Sequence, residues 1–201
     1  QAGQLSSLEG SLKAEIASKS EEEAENQRTL MLLAIGQLQR ETRGSEPFEN
    51  GLKQVSVVAN DKFKGLVEKL EPIAPVGAPT LAGLQKDFMA IASDISQSAR
   101  LPSEETWYGE ALHRIASAIK FRRVDDMEGS DVDAVVARAE QDLADNDLGQ
   151  AIAEIKKLSG AAAEVATPWL EKAKTRLTVE QSVAGLLREA TATAISQPTS
   201  N

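Results

Sequence analysis

The chain contains no cysteine and only one histidine, His113. The absence of cysteine excludes disulfide bonds, zinc sites with cysteine ligands and thiol nucleophiles. A zinc ion at His113 would need three carboxylate or water ligands, and the neighbours Glu110 and Arg114 indicate a surface position instead. The serines have no other histidine as a base, and the scattered glycines form no phosphate-binding loop. The sequence therefore predicts no cofactor, no metal ion and no enzymatic activity.

Aromatic residues make up only 3% of the 201 residues, and no β-branched or aromatic runs lie between tight turns. A β-rich fold is therefore a poor interpretation. Ala, Leu, Glu, Gln, Lys and Arg are abundant, which favours helices that pack closely through small residues. The formal net charge of -9 argues against a general nucleic-acid binder. These properties together predict an all-α fold.

No apolar run approaches the roughly 20 residues that a transmembrane helix needs. The chain begins at Gln1, with neither an initiator Met nor a signal peptide. We therefore expect a processed protein or a piece of a longer one.

The first predicted element is a long helix that extends to about Arg43 and ends at Gly44 and Pro47. Its apolar stripe is narrow at first, is interrupted by the polar run 19–27, and resumes as a broader stripe. We interpret this helix as the end of a coiled coil that leads into a globular domain; a lone solvated helix is the alternative. The apolar positions are Leu5, Leu8, Leu12, Ile16, Leu30, Leu33, Ile35 and Leu38.

About six further helices are predicted as a bundle, which ends in a helical hairpin followed by one long C-terminal helix to about Ala194. The strongest break is the sequence PIAPVGAPT at 72–80, because three prolines and a glycine do not fit a helix interior. Thr80 is the expected N-cap of the next helix. We expect three parts, which are a coiled-coil or long-helix segment at 1–43, a helical domain at 44–196 and a loose tail at 197–201.

The predicted hairpin turns at Asn146, which stands where a left-handed residue would end its first helix, and Asp147 can cap its second helix. Gly160 is expected to end that second helix. Pro168 lies inside the final helix, but the apolar spacing continues across it, so we expect one helix that is straight or kinked there. The apolar positions of this stretch are Val132, Val136, Ala139, Leu143, Leu148, Ile152, Ile155, Leu158, Ala162, Ala166, Trp169, Ala173, Leu177 and Leu187.

The predicted helix from Ser103 to Arg123 is the best candidate for a membrane contact. One of its sides is apolar and aromatic, and the half from Leu112 onward contains four basic residues and no acidic one. Such a helix can lie in a bilayer interface with its cations near anionic lipid. The alternative is that its apolar residues fill the domain core or a dimer interface. The candidate lipid-binding residues are Trp107, Tyr108, Leu112, Ile115, Ile119, Lys120, Phe121, Arg122 and Arg123.

The stretch 124–149 reverses the charge, because it contains nine acidic residues and one arginine. We interpret this run as a solvated face. Pairing with the basic edge of the preceding helix, within the chain or between protomers, is the alternative.

The order of helix, short polar turn, helix, glycine and then a helix with Trp-Leu resembles the C-terminal signature domain of the mitofilin family. Upstream, Glu46-Pro47-Phe48, the sequence GAPT at 77–80, and Trp107 before a basic amphipathic helix are similar to α-proteobacterial members. The similarity covers roughly 47–194. The residues of the signature domain that carry it are Asn146, Asp147, Leu148, Ala151, Leu158, Gly160, Ala166, Trp169, Leu170, Ala173, Leu177, Gln181, Val183 and Leu186.

Two residues depart from the family pattern. Asn146 stands where the family usually has glycine at the hairpin turn, and asparagine is the next most tolerated residue in the left-handed conformation. We therefore expect the turn to be kept. Pro168 before Trp169 is also unusual, which leaves the straightness of that helix open.

The resemblance implies a bitopic inner-membrane protein with one N-terminal span, a coiled coil, and this domain on the outer side of that membrane. In a bacterium the domain would lie in the periplasm, and the span would precede this chain. The family shapes crista junctions in mitochondria and bridges to the outer-membrane barrel-assembly machinery. The implied function is therefore a scaffold that shapes membranes and tethers the inner to the outer membrane. The resemblance implies the outer-membrane barrel-assembly machinery as a partner. Anionic membrane lipid is a hypothesis that comes from the predicted helix at 103–123, and we expect further copies of the chain in a homo-oligomer.

The C-terminal helical bundle would supply the protein contacts. Its candidate partner or self-association residues are Leu148, Ile152, Ile155, Trp169, Leu170, Leu177 and Leu186. A different hypothesis is a lipid-independent helical adaptor that holds another envelope protein, since the hairpin at 131–158 is also similar to one tetratricopeptide-type unit. A repeat fold needs about three such units, and the sequence contains no clean second copy, so this is the lesser explanation.

Overall fold

The computed structural model describes residues 2–99 and 131–195, and all regular structure in these ranges is α-helical. The predicted all-α fold is confirmed, with a long first helix and a long last helix. The predicted helix at 103–123 and the tail at 197–201 lie outside the described residues. The described helices are α1 (Ala2–Glu41), α2 (Glu49–Val58), α3 (Asp61–Leu70), α4 (Leu81–Ser98), α5 (Val132–Ala144), α6 (Leu148–Ile155) and α7 (Gly160–Ile195).

The chain folds into two compact units, each with its own buried core. Unit 1 consists of residues 1–78 and 178–201, and unit 2 consists of residues 79–177. Unit 2 is therefore inserted between two segments of unit 1, and α7 contributes its first part to unit 2 and its last part to unit 1. The sequence-based limits after residues 43 and 196 stay predictions.

The core of unit 1 is built by the second half of α1, by α2 and α3, and by the end of α7. Apolar residues three and four positions apart turn one face of each helix inward. Leu8, Leu12 and Ile16 in the first half of α1 are more than half exposed, whereas Ile35 and Leu38 are fully buried. The buried residues that α7 adds to this core are Val179, Val183, Leu186 and Ala190.

A carboxylate of α1 caps the start of α2. Phe48 occupies the N-cap position of α2, but its side chain makes no capping hydrogen bond. Instead, Oε2 of Glu41 accepts a hydrogen bond from the Gly51 N–H at 2.9 Å, and Oε1 accepts one from Gln37 Nε2 at 2.8 Å. A Cβ atom at Gly51 would lie 2.5 Å from Glu41 Oε2, so the glycine permits this close approach. One carboxylate therefore fixes the end of α1 against the beginning of α2.

The proline-rich break after α3 is an ordered connection. Phe48 N–H donates a hydrogen bond to the Ala74 carbonyl at 2.9 Å. Gly77 has a φ of +82°, and a Cβ atom there would collide with the backbone of the turn after α1, so only glycine fits. Thr80 is the N-cap of α4 as predicted, because its Oγ1 accepts a hydrogen bond from the Gly83 N–H at 3.1 Å.

Unit 2 packs α4, the hairpin of α5 and α6, and the first part of α7 around one core. The hairpin turn is as predicted, since Asn146 has a φ of +61° and Asp147 Oδ1 accepts a hydrogen bond from the Gln150 N–H at 2.9 Å. The prediction that Gly160 ends the second helix is wrong. Helix α6 already ends at Ile155, and Gly160, whose φ is +58°, is the first residue of α7.

Helix α7 continues through Pro168, which confirms the prediction of one long C-terminal helix. Its buried positions change register after Ala173, because the next buried residue is Val179. The expectation that Leu187 lies on the buried stripe is wrong, since Leu187 is 38% exposed and Leu186 is fully buried. The reason is that the last part of α7 packs into the core of unit 1 instead of continuing along the core of unit 2.

Replacing Glu41 by alanine should lower the free energy of unfolding by about 1–2 kcal/mol, which is typical for the loss of an N-terminal capping side chain. Chemical denaturation followed by circular dichroism measures this change. Glu9→Ala, at an exposed position of the same helix, is the matched control and should change stability by less than about 0.5 kcal/mol. Equal losses in the two variants would contradict the capping role of Glu41.

Candidate interaction surfaces

The candidate lipid-binding residues, which run from Trp107 to Arg123, lie outside the described residues. Lipid contact by this segment therefore stays a prediction. Within 2–99 and 131–195, no group of His, Cys, Asp or Glu side chains is placed to hold a metal ion, and no helix is long and apolar enough to cross a membrane. The candidate surfaces that the structure does describe are the hairpin bundle of unit 2 and the first helix.

Trp169 fixes α7 against α4 in the core of unit 2. Its side chain is 3% exposed. Its indole N–H donates a hydrogen bond to the Leu84 carbonyl at 2.9 Å. Its ring centroid lies 4.8 Å from that of Phe88, with the two ring planes tilted by 56°. A buried indole needs an acceptor for its N–H, and the backbone of α4 supplies one.

Gln85 of α4 holds the hairpin turn. Its Nε2 donates a hydrogen bond to the Leu143 carbonyl at 2.6 Å and a longer one to Asn146 Oδ1 at 3.3 Å. The Leu143 carbonyl belongs to the last turn of α5, where carbonyls lack partners within the helix. No sequence pattern predicts this role of Gln85, because a glutamine on a predicted helix gives no local signal for a partner far along the chain.

The candidate association residues are mostly core residues of this chain. Five of them are at most 3% exposed, namely Leu148, Ile152, Ile155, Trp169 and Leu186. Leu170 and Leu177 are half-buried and pack against the core of unit 2. These two side chains are therefore the members of the set that a partner could contact directly. A partner-binding role for the set stays a prediction.

An ion-pair network links the two helices of the hairpin. Glu154 on α6 accepts a hydrogen bond from Arg138 Nε on α5 at 2.8 Å, and it pairs with Lys157 Nζ at 2.5 Å. Hydrogen bonds from Lys157 and Arg138 hold the pKa of Glu154 below its ordinary value. Burial raises the pKa of Asp142, and the negative charge of Glu154 raises it further. The fold therefore stabilises the charged form of Glu154 and disfavours the charged form of Asp142.

The first half of α1 carries an apolar stripe that is exposed to solvent. Leu8, Leu12 and Ile16 are 69%, 59% and 61% exposed, and Leu33, after the polar run, is 65% exposed. Single exposed apolar side chains are ordinary on protein surfaces. Apolar residues that follow one another at spacings of three and four, as Leu5, Leu8, Leu12 and Ile16 do in the sequence, form a stripe on one side of a helix that can serve as a coiled-coil seam. The exposure is what the coiled-coil interpretation requires, and the pairing of this seam stays a prediction.

Comparison with known proteins identifies a matching family and several similar proteins. The family model for mitofilin, described as a mitochondrial inner membrane protein, matches residues 2–191. A probable magnetosome protein, Mms36 of Magnetospirillum gryphiswaldense, is 27% identical over 189 residues, which cover 92% of this chain and 53% of that protein. No solved structure matches the chain.

Fungal relatives carry the name of a subunit of the MICOS complex. The MIC60 subunit of Yarrowia lipolytica is 27% identical over 173 residues, which cover 83% of this chain and 31% of that protein. The mic60 subunit of Sclerotinia sclerotiorum is 27% identical over 140 residues, which cover 68% of this chain and 21% of that protein. The chain thus spans about half the length of the magnetosome protein and a smaller share of the MICOS subunits.

Replacing Trp169 by alanine should lower the free energy of unfolding by about 3–5 kcal/mol, because it removes a large buried side chain from the core. Trp169→Phe keeps a ring against Phe88 and loses the hydrogen bond to Leu84, so we expect a loss of about 1–2 kcal/mol. Thermal and chemical denaturation measure both changes. Leu187→Ala, at a partly exposed position of the same helix, is the control. A Trp169→Ala loss no greater than that of the control would show that the indole is a surface group.

Replacing Asp142 by asparagine should raise stability at neutral pH. Because the folded protein raises the pKa of Asp142 above its ordinary 3.8, its charge disfavours folding above the folded pKa, and this penalty disappears as the pH falls below the ordinary value. Replacing Glu154 by glutamine should lower stability at neutral pH. Its pKa is lowered from 4.5, so its contribution is present at neutral pH and is lost as the pH falls through the folded pKa.

Denaturation midpoints of the two variants and the parent chain, measured from about pH 7 to about pH 4, test this pair of signs. The difference between each variant and the parent should shrink toward acid pH. Shifts of the same sign at neutral pH would contradict the assignment of the two carboxylates.

Proposed function

We propose that this chain, which belongs to the mitofilin family, is part of a scaffold that organises an inner membrane. The observation that carries this proposal is the extent of the family match, which runs from residue 2 to residue 191 and so includes both compact units. The matched family is described as a mitochondrial inner membrane protein. The described helices serve to pack against one another, which suits a scaffold that acts through contacts.

The finer proposal is that this domain lies in the periplasm of a bacterium and is held at the inner membrane by a span upstream. The similarity of its motifs to α-proteobacterial members and its similarity to a bacterial magnetosome protein support a bacterial source. The periplasmic side of the membrane is what the family resemblance implies for a bacterial member. Its protein contacts would tether the inner membrane to the outer membrane. The outer-membrane barrel-assembly machinery is the proposed partner there, as the family resemblance implies.

Lipid contact is proposed for residues 107–123. Its basis is the sequence, which combines aromatic and aliphatic residues on one side with basic residues at the edge. Apolar area removed from water contributes about 25 cal/mol per Å², and each cation near an anionic surface adds about 1 kcal/mol. The apolar side would therefore supply most of the affinity, and the cations would supply the preference for anionic lipid.

Self-association is proposed for α1. Leu8, Leu12 and Ile16 would be buried when two or more copies of this helix pair, and their exposure in the single chain supports such pairing. The polar run 19–27 interrupts the seam, so the pairing would be weaker there than in an uninterrupted coiled coil. A homo-oligomer would present several lipid-binding segments to one membrane, which raises the effective affinity of each.

Charge reversal of Arg122 and Arg123 tests the lipid contact. The variant R122E/R123E replaces two attracted cations with two repelled anions, so binding to vesicles that contain phosphatidylglycerol should fall at least about tenfold. Co-sedimentation with these vesicles measures the change. The matched control is K62E/K64E on α3, where both lysines are exposed and the net charge changes by the same amount. Unchanged binding of the arginine variant, or an equal loss in both, would contradict a specific lipid contact.

A lipid-independent adaptor is the second candidate function. The observation that favours it is that Leu170 and Leu177 are left half-buried at the edge of a closed hairpin bundle. In this case the parent chain should not sediment with vesicles of any composition. It should still retain an envelope protein from a membrane extract, and Leu170→Glu should abolish that retention without unfolding unit 2.

A further inference from the structure

Unit 1 contains a small pocket between α1, the turn that joins α2 to α3, and the end of α7. Its volume is about 160 Å³, and it is open to solvent on one side. Its apolar lining includes the buried side chains of Met31, Phe63 and Ala190 and the half-buried Val58. An apolar cavity of about 150 Å³ is large enough to hold benzene. The pocket therefore has room for one ring-sized apolar side chain.

Three polar residues, Gln27, Arg28 and Asn60, line the same pocket. All three side chains carry N–H donors. Asn60 uses its Oδ1 to accept a hydrogen bond from the Lys62 N–H at 3.0 Å, which leaves its NH₂ group for another acceptor. Among the described residues, the Arg28 side chain has no ion-pair partner. Gln27 and Asn60 are exposed to solvent, whereas Arg28 is half-buried, so the guanidinium of Arg28 is the donor that an acceptor inside the pocket would meet.

The charge of Arg28 narrows the choice of acceptor. The planar set of donors on its guanidinium group matches a carboxylate better than any neutral group. Arg28 is separated from Met31 by less than one turn of α1, so a ligand that meets both must carry a carboxylate close to an apolar side chain. The C-terminal residue of a polypeptide has this combination within a single residue.

We propose that this pocket binds the C-terminal residue of a partner polypeptide. A large apolar side chain lies against Met31 and Phe63, and the terminal carboxylate pairs with Arg28. Capture of a terminal carboxylate is one of the recurring modes of peptide recognition, and in this pocket the guanidinium of Arg28 would take the place of the backbone N–H groups that usually bind it. The site uses none of the residues proposed for lipid contact or for the hairpin bundle, so it goes beyond the proposed scaffold function and does not depend on it.

The methionine methyl groups of the whole chain report on this pocket. Met31 lines it, whereas Met89 is 68% exposed on α4 and serves as the internal control. The probe is N-acetylphenylalanine, and the comparison is its neutral amide. Titration followed by methyl NMR should shift Met31 and leave Met89 unchanged. The acid should bind about two to five times more tightly than the amide, because the pair with Arg28 is partly exposed, and added salt should reduce this difference.

Two variants separate the polar and the apolar parts of the site. Arg28→Gln should remove the preference for the acid while both probes still bind. Arg43→Gln, at an exposed position just after α1, is the matched control and should keep the preference. Ala24→Leu adds a side chain at the lining of the pocket and should abolish the Met31 shift for both probes.

Several outcomes would overturn the proposal. The absence of a Met31 shift, or a preference for the acid that persists in Arg28→Gln, would show that the pocket does not bind a carboxylate as described. If N-acetyl-aspartyl-phenylalaninamide binds as tightly as N-acetylphenylalanine, the pocket accepts an internal acidic residue and does not require a terminal carboxylate. A Met31 signal that changes on dilution of the chain alone, and no longer does so in Ala24→Leu, would identify a second copy as the occupant of the pocket.

Discussion

Residues 178–195 of α7 complete the core of unit 1, although they follow unit 2 in the chain. Val183 and Leu186 are buried there together with Leu52 of α2 and Phe63 of α3. Unit 1 therefore cannot close its core until segments from both sides of unit 2 have come together. Without the last part of α7, the apolar faces of α2 and α3 would stay in water, which is unfavourable in proportion to the exposed area. Both cores depend on this one helix.

Polar anchors fix the helices in a chain that has few aromatic residues. The Glu41 carboxylate holds α2 on α1, the Gln85 amide holds the hairpin turn on α4, and the Trp169 indole holds α7 on α4. Small and aliphatic side chains pack closely but leave several helix positions nearly equal in energy. Hydrogen bonds to particular backbone groups remove this freedom, because a shifted helix would leave a buried or partly buried donor or acceptor without a partner.

Some apolar residues of the chain are buried in a core, and others are exposed to solvent. Those of the hairpin bundle lie in the core of unit 2, whereas those in the first half of α1 are exposed. A scaffold needs both a rigid body and a surface through which copies can associate. Because α1 is continuous from its exposed first half to its buried second half, a seam formed between copies would be joined to unit 1 without a flexible linker. This continuity connects the proposed assembly to the domain that carries the other contacts.

The sequence by itself determined the all-α class, the long first and last helices, the start of α4 and the hairpin turn. The signals for these features are local, because Thr80, Asn146 and Asp147 act on their own backbone or on groups three residues away. The partition into two units, the change of buried register after Ala173, and the role of Gln85 were decided only by the tertiary structure. These features depend on contacts between residues far apart in the chain, such as the hydrogen bond from Trp169 to Leu84. The spacing of apolar residues along one helix does not predict such a contact, because the buried face depends on the core against which the helix packs.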